Sequence, residues 1–247
     1  MNLLEALAVV LAGLAAGTIN TVVGAGSLVT FPTLLAVGLP PVVANVSNTV
    51  GLVPGSVSGA WGYRRELAGQ RPRLLRLGVG TVLGAVTGAV LLLVLPAAAF
   101  EAVVPALILL GCVLVVAQPW LVRWVGDRPR HDHGGPLVWA LIFLVGAYGG
   151  YFGAAQGVLL IAVLGLGLDE TLQRVNAAKN VLAGLANLVA GAVFTVVADV
   201  NWAAAGLVAV GATAGGLVGA RVARHLPPVA LRAVVVAVGL VAIVTLR

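Results

Sequence analysis

The sequence predicts an all-α, polytopic membrane protein of about 8–10 helical segments, built as two inverted-topology repeats with broken or re-entrant helices. Three observations carry this. The first is composition: 61% of the 247 residues are hydrophobic and 9% charged, against about 25% charged in soluble domains. The second is the spacing of apolar runs, which fall at 3–20, 25–38, 42–61, 74–95, 100–122, 137–150, 155–168, 172–197, 202–222 and 228–246. The third is self-similarity. "GLAAGTINTVVGAGSL" (13–28) followed by "VANVSNTVGL" (43–52) is echoed by "GAYGGYFGAAQGVL" (146–159) followed by "RVNAAKNVLAGL" (174–185), pairing Gly26 with Gly157 and Asn45 with Asn176.

The opening run lacks the basic stretch of a signal peptide and carries Glu5, so it reads as part of the mature fold. Between it and the second run lies "NTVVGAGS", a break with Asn20, Thr21, Gly24, Gly26 and Ser27. Unwound backbone in hydrocarbon must be satisfied by protein or by a water-filled cavity, so this break lines something. Glycine lets a ligand approach the main chain, and a restarting helix offers free N–H groups to an anion. The third run bears Asn45, Ser47, Asn48 and Thr49, then Ser56 and Ser58 around Pro54: uncharged donors on an inward face.

Arg64, Arg65, Arg71, Arg73 and Arg76 precede or open the fourth run, whose Gly80, Gly84 and Gly88 have small-xxx-small spacing for close helix packing. "PAAAFE" follows with Glu101 and no base; the fifth run holds the single cysteine, Cys112, which leaves no disulfide framework. After it come Arg123, Arg128 and Arg130. A net charge of +6 would suggest nucleic acid in a soluble protein, but arginines clustered between apolar runs are topology signals instead. They place loops 62–73 and 123–136 in the cytoplasm, with Arg174, Arg221, Arg224 and Arg232, and both termini outside; only Arg247 breaks the rule. "HDH" at 131–133 is a solvated polar loop without further metal ligands nearby. Trp61, Trp120, Trp124 and Trp202 sit near run ends as interfacial anchors.

Residues 137–168 make about 48 Å of helix, where two full crossings need about 60 Å, so this pair dips in as broken or re-entrant helices. Their break holds Gly149, Gly150, Tyr151, Gly153, Gln156 and Gly157. Counting runs long enough to span gives six, at 42–61, 74–95, 100–122, 172–197, 202–222 and 228–246; the first two runs of each half are shorter. In the eighth run Lys179 lies about 10 Å from the helix start, and an intramembrane ionisable residue is a functional hypothesis. Its readings are an anion-facing ammonium, a side chain snorkelling to the headgroups, or a structural partner. Asn176, Asn180 and position 183 share its helical face, which lipid would not tolerate.

The expected division is residues 1–122, a first transmembrane repeat; 123–136, a cytoplasmic linker; and 137–247, a second repeat. The candidate substrate-binding residues are Asn20, Thr21, Gly24, Gly26, Ser27, Asn45, Asn48, Thr49, Gly153, Gln156, Gly157, Asn176, Lys179 and Asn180. Many donors, one cation and no carboxylate suit a small oxyanion. All eight acidic residues fall in loops or near helix ends. No nucleotide-binding loop, nucleophile elbow or zinc-protease motif occurs, so neither an enzyme nor a cofactor is expected.

These stretches, "AAGTINTVVGAGSLVTFPTLLAVGLPPVVANVSNT" (15–49) and "GAYGGYFGAAQGVLLIAVLGLGLDETLQRVNAAKN" (146–180), resemble the sulfite exporter TauE/SafE family of membrane permeases over nearly the whole chain. Gly24, Gly26 and Pro32, then Gly153, Gly157 and Asn176, match its repeated motif. The resemblance implies transport of sulfite, sulfonates such as sulfoacetate, or related organic anions. No lysine in the first repeat matches Lys179. The expected protein is a bacterial inner-membrane permease for such an anion, acting outward, whose partners are substrate and bilayer; homo-oligomerisation is compatible with the sequence. The alternative is a non-transporting membrane scaffold or assembly subunit. A scaffold would bury its polar residues in a helix interface without a pocket.

Overall fold

The computed structural model describes residues 1–124, 135–222, 233 and 236–238. The HDH motif and nearly all of the run at 228–246 lie outside the described residues. Among those described, the chain is helical with no strand: α1 (Leu3–Val22), α2 (Ser27–Ala36), α3 (Pro41–Gly62), α4 (Arg71–Val94), α5 (Ala97–Trp124), α6 (Pro136–Tyr151), α7 (Gln156–Gly167), α8 (Leu172–Val197) and α9 (Trp202–Val222). Local chemistry sets the starts. Asn2 and Glu5 form a reciprocal capping box at α1, Thr171 caps α8, and prolines occupy the first turns of α3, α4 and α6.

Among the described residues five helices, α1, α4, α5, α8 and α9, are long and apolar enough to cross a membrane. This corrects the sequence count at two places. α1 runs on through Asn20 and Thr21 to 20 residues, about 30 Å. α3, at 22 residues, has the length, but its polar stripe keeps it out of the apolar set. The second broken pair is as expected: α6 and α7 have 16 and 12 residues, each short of a full crossing. Leu7, Leu11, Leu83, Val94 and Val116 are among many large apolar side chains on the outer surface, as suits a surface that faces bilayer hydrocarbon.

Glycines set the helix pairing. α6 lies against α4 with Gly146 and Gly150 meeting the carbonyls of Thr81 and Ala85, and Gly84 and Gly88 meeting those of Phe143 and Ala147. α1 lies against α9 in the same manner: Gly13 and Gly17 meet Val208 and Ala212, and Gly211 and Gly215 meet Val10 and Leu14. A methyl group at Gly17, Gly88, Gly150 or Gly211 would overlap main-chain atoms of the facing helix, so only glycine permits this approach. Position numbers rise together in both pairs, so each runs parallel. Gly51, Gly55 and Gly62 of α3 meet positions 205, 212 and 220 of α9, also parallel. Between α3 and α8 the order reverses: Tyr63 meets Asn176, Ser56 meets Gly184, and Val50 meets Gly191. Thus α1, α3 and α9 run one way while α8 runs the other, and the two stretches of chain interleave rather than forming separate bodies.

Phe31, Phe100 and Phe152 make a three-way edge-to-face cluster, with centroids 5.1–6.5 Å apart, that packs α2, the start of α5 and the second break together. Cys112 is buried in the same apolar core.

Candidate functional site

The two breaks are built alike. At the end of α1 the N–H groups of Val23 and Gly24 both donate to Ile19 O, at 2.7 and 2.9 Å; at the end of α6 those of Phe152 and Gly153 both donate to Tyr148 O, at 2.9 and 3.0 Å. Gly24 has φ +90° and Gly153 φ +74°, the left-handed turn that stops a helix without a Cβ penalty. By this geometry Gly24 corresponds to Gly153. The sequence pairing of Gly26 with Gly157 is therefore displaced by two residues. Each loop is pinned by a side chain of the helix it leaves: Asn20 Oδ1 accepts from Gly26 N at 2.7 Å, and the Tyr148 hydroxyl donates to Ala154 O.

The breaks meet. Gly157 N, at the start of α7, donates to Gly24 O at 3.0 Å, and a Cβ on either glycine would strike the other's Cα. Beside this junction lies a partly enclosed cavity of about 20 Å³, room for one water, lined largely by polar residues and glycines: Asn20, Thr21, Gly24, Ser27, Ser56, Gly153, Gln156, Gly157, Asn180, Ala183 and Asn187. Eight of the fourteen residues expected from sequence line it. Its other polar walls are Ser56 and Asn187, whose Nδ2 donates to Ser56 Oγ at 3.4 Å. Asn187 was missed, although it stands seven positions after Asn180 on one helical face.

The remaining six expected residues surround the cavity without lining it. Gly26 takes the Asn20 latch. Asn48 donates to Ser27 Oγ at 3.2 Å and accepts from Thr30, so it braces α2. Thr49 is bonded to Asn45 O in its own helix. Asn45 donates to Tyr151 O at 2.9 Å, the terminal carbonyl of α6; Asn176 donates to Thr21 O at 3.2 Å, at the end of α1, and to the Tyr63 hydroxyl at 2.9 Å. Each asparagine of the matched pair thus caps the broken helix of the other half.

Lys179 is fully buried, and its ammonium donates to Asn20 O at 2.7 Å and Thr21 O at 3.2 Å. Asn180 Nδ2 reaches Thr21 O as well, at 3.3 Å. The lysine does not snorkel. It caps the carbonyl end of α1, where a cation opposes the negative pole of the helix dipole, and its charge lies directly behind the cavity wall formed by Asn20 and Thr21. Among the described residues no carboxylate lines the cavity. The chemistry on offer is amide and hydroxyl donors with a positive charge at their back, suited to a small anion. No group of three or more His, Cys, Asp or Glu capable of holding a metal occurs among the described residues.

One end of the bundle is tied by charge. Arg73 donates to Glu170 at 3.0 Å, Arg174 forms a two-pronged pair with the same carboxylate, and Gln70 Nε2 donates to Arg174 O at 3.0 Å. These contacts put loop 62–73 and Arg174 at the same end. Burial pushes the Glu170 carboxyl up, but the hydrogen bonds and charges of Arg174 and Arg73 outweigh it and hold it below its usual range.

The chain is similar in sequence to known membrane proteins. The chain is 26% identical over 211 residues to a probable membrane transporter protein of Haemophilus influenzae, covering 85% of this chain and 81% of that one. It is 27% identical over 207 residues to the probable membrane transporter protein YfcA of Escherichia coli K12, covering 83% and 76%. To the probable membrane transporter protein ORF9 of a Sinorhizobium species it is 29% identical over 144 residues, 58% of this chain and 54% of the other. No solved structure gives a significant match. The family model for the sulfite exporter TauE/SafE matches residues 9–246, and with paired broken helices around a polar cavity the chain belongs to that family of membrane transporters.

Proposed function

We propose that this transporter is a permease for a small oxyanion such as sulfite or a short sulfonate, acting as an exporter from an inner-membrane location. One observation carries the reading: the cavity where the two broken helices meet is walled by Ser27, Ser56, Gln156, Asn180 and Asn187, has no acid among the described residues that line it, and is backed by the Lys179 ammonium. An anion entering it exchanges its hydration shell for side-chain and main-chain donors. The opposed directions of α3 and α8, the like-built breaks and the cross-capping asparagines support an inverted repeat of 1–122 and 137–247 about the 123–136 linker. Inverted repeats place substrate at their interface. At about 20 Å³ the cavity has room for one water, so binding sulfite requires the breaks to separate; among the described residues a single main-chain bond, from Gly157 N to Gly24 O, joins them. The cavity also favours transport over the scaffold reading, which needs no pocket.

The test is flux of sulfite, thiosulfate, sulfoacetate and small carboxylates in proteoliposomes of the wild-type chain and of Asn187→Leu, which fills the cavity. Wild-type uptake or release of at least one sulfur oxyanion, with loss in Asn187→Leu, is expected. Flux of none of the panel would refute the substrate class.

A further inference from the structure

A second cavity, of about 400 Å³, opens on the outside of the bundle between α3 and α8. That volume lies in the range of small-molecule sites, about 300–1,000 Å³. Its walls are almost wholly apolar. Val57, Ala60 and Trp61 line it from α3, and Val181, Gly184 and Leu188 from α8. Val57 is 62% exposed, Trp61 65% and Leu188 52%; among the described residues nothing covers them. Two features make this more than an apolar face. At the end of the groove where α3 stops stands Arg64, among the described residues the only charged one of its lining, with its guanidinium 5.4 Å from the centre of the Trp61 ring. Among the described residues Arg64 pairs with no carboxylate; its partners there are Trp61 O and the Trp61 ring. Ser56 and Asn180, in the lining of this groove, also line the polar cavity.

We propose that this groove is a binding site for an anionic phospholipid, its phosphate on Arg64 and one acyl chain along α3 and α8. The shape and charge match that chemistry: a cation beside an exposed tryptophan at a helix end, where headgroups lie, then an apolar channel facing the hydrocarbon. A zwitterionic lipid supplies the same chain but no net charge to Arg64. A second copy of the chain fits less well, because a two-fold contact through this groove brings Arg64 toward Arg64 with no lining carboxylate to meet either. Since Ser56 and Asn180 belong to both walls, the seated chain braces the α3–α8 face of the polar cavity.

Native mass spectrometry of the full chain, titrated with phosphatidylglycerol and with phosphatidylcholine of identical acyl chains, tests the site independently of any transport assay. A juxtamembrane arginine is worth about fivefold in affinity for an anionic surface. The wild-type chain is therefore expected to retain phosphatidylglycerol about fivefold over phosphatidylcholine. Arg64→Gln should abolish that preference, Ala60→Phe should weaken binding of both lipids, and Arg65→Gln, outside the groove, should leave the preference intact. Equal binding of the two lipids by the wild-type chain overturns the proposal, as does a preference that survives Arg64→Gln or falls equally in Arg65→Gln. Retention of a soluble alkanesulfonate but not of phosphatidylglycerol through Arg64, or a dimer that excludes lipid and dissociates in Ala60→Phe, would assign the groove to those occupants and likewise overturn it.

Discussion

Lys179 joins residues far apart in sequence: its ammonium bonds the carbonyl of Asn20, 159 positions away. Its depth and its asparagine neighbours were legible from periodicity alone. The two carbonyls it meets were not, because nothing local in "QRVNAAKN" tells which helix end faces it. The positive charge and the donor function can be separated. Lys179→Ala removes bonds of a kind worth about 1.5–3 kcal/mol and leaves the end of α1 uncapped, so its melting temperature in detergent and its flux should both fall. Lys179→Gln keeps a donor for the carbonyls and loses the charge. It should melt close to wild type yet carry anion about tenfold more slowly or worse. Wild-type flux in the glutamine variant would reduce Lys179 to a helix cap with no part in anion attraction.

At the scale of elements, helix positions were legible from apolar runs, and the errors have identifiable causes. Asn20 and Thr21 looked like the start of a break, but the Thr21 hydroxyl bonds back to Gly17 O at 2.8 Å within the helix, and α1 continues to Val22. The glycine spacing on α4 was readable as a packing signal; its partner α6 was not, since spacing names no neighbour. A matched pair of substitutions tests the packing account. Gly150→Ala drives a methyl into Ala85 O at the α4–α6 crossing and should cost about 1–3 kcal/mol by overpacking. Gly206→Ala on α9 meets nothing within 4 Å and should be neutral or stabilising by up to about 1 kcal/mol. Equal thermal shifts for the two would mean that close approach does not govern this pairing. The charged tie at the end of the bundle has its own signature. Because Glu170 is held below its usual carboxylate range, its pairing stabilises the fold at neutral pH and is lost as pH falls through and below that range. Glu170→Gln should lower the melting temperature at pH 7 and flatten its decline on acidification; a parallel offset at every pH would remove Glu170 from the acid response.

For the whole molecule, the placement of charge bears on direction. Among the described residues no acid lines the polar cavity, and the tie of Arg73, Glu170 and Arg174 lies outside that lining. A carboxylate that could carry a proton or hold sodium beside the substrate is therefore not part of that lining. Moving one charge across the membrane is worth about 2.3 kcal/mol per 100 mV, and a negative interior expels anions unaided. An importer of the same anion would have to overcome that energy with a coupled ion. For the anion exporter proposed above, electrogenic efflux driven by the potential is the expectation. In proteoliposomes under an imposed potassium diffusion potential, release should quicken when the lumen is negative and slow when it is positive, with proton and sodium gradients collapsed. Efflux that ignores the sign of the potential but stops without one of those gradients would establish a coupled mechanism in its place.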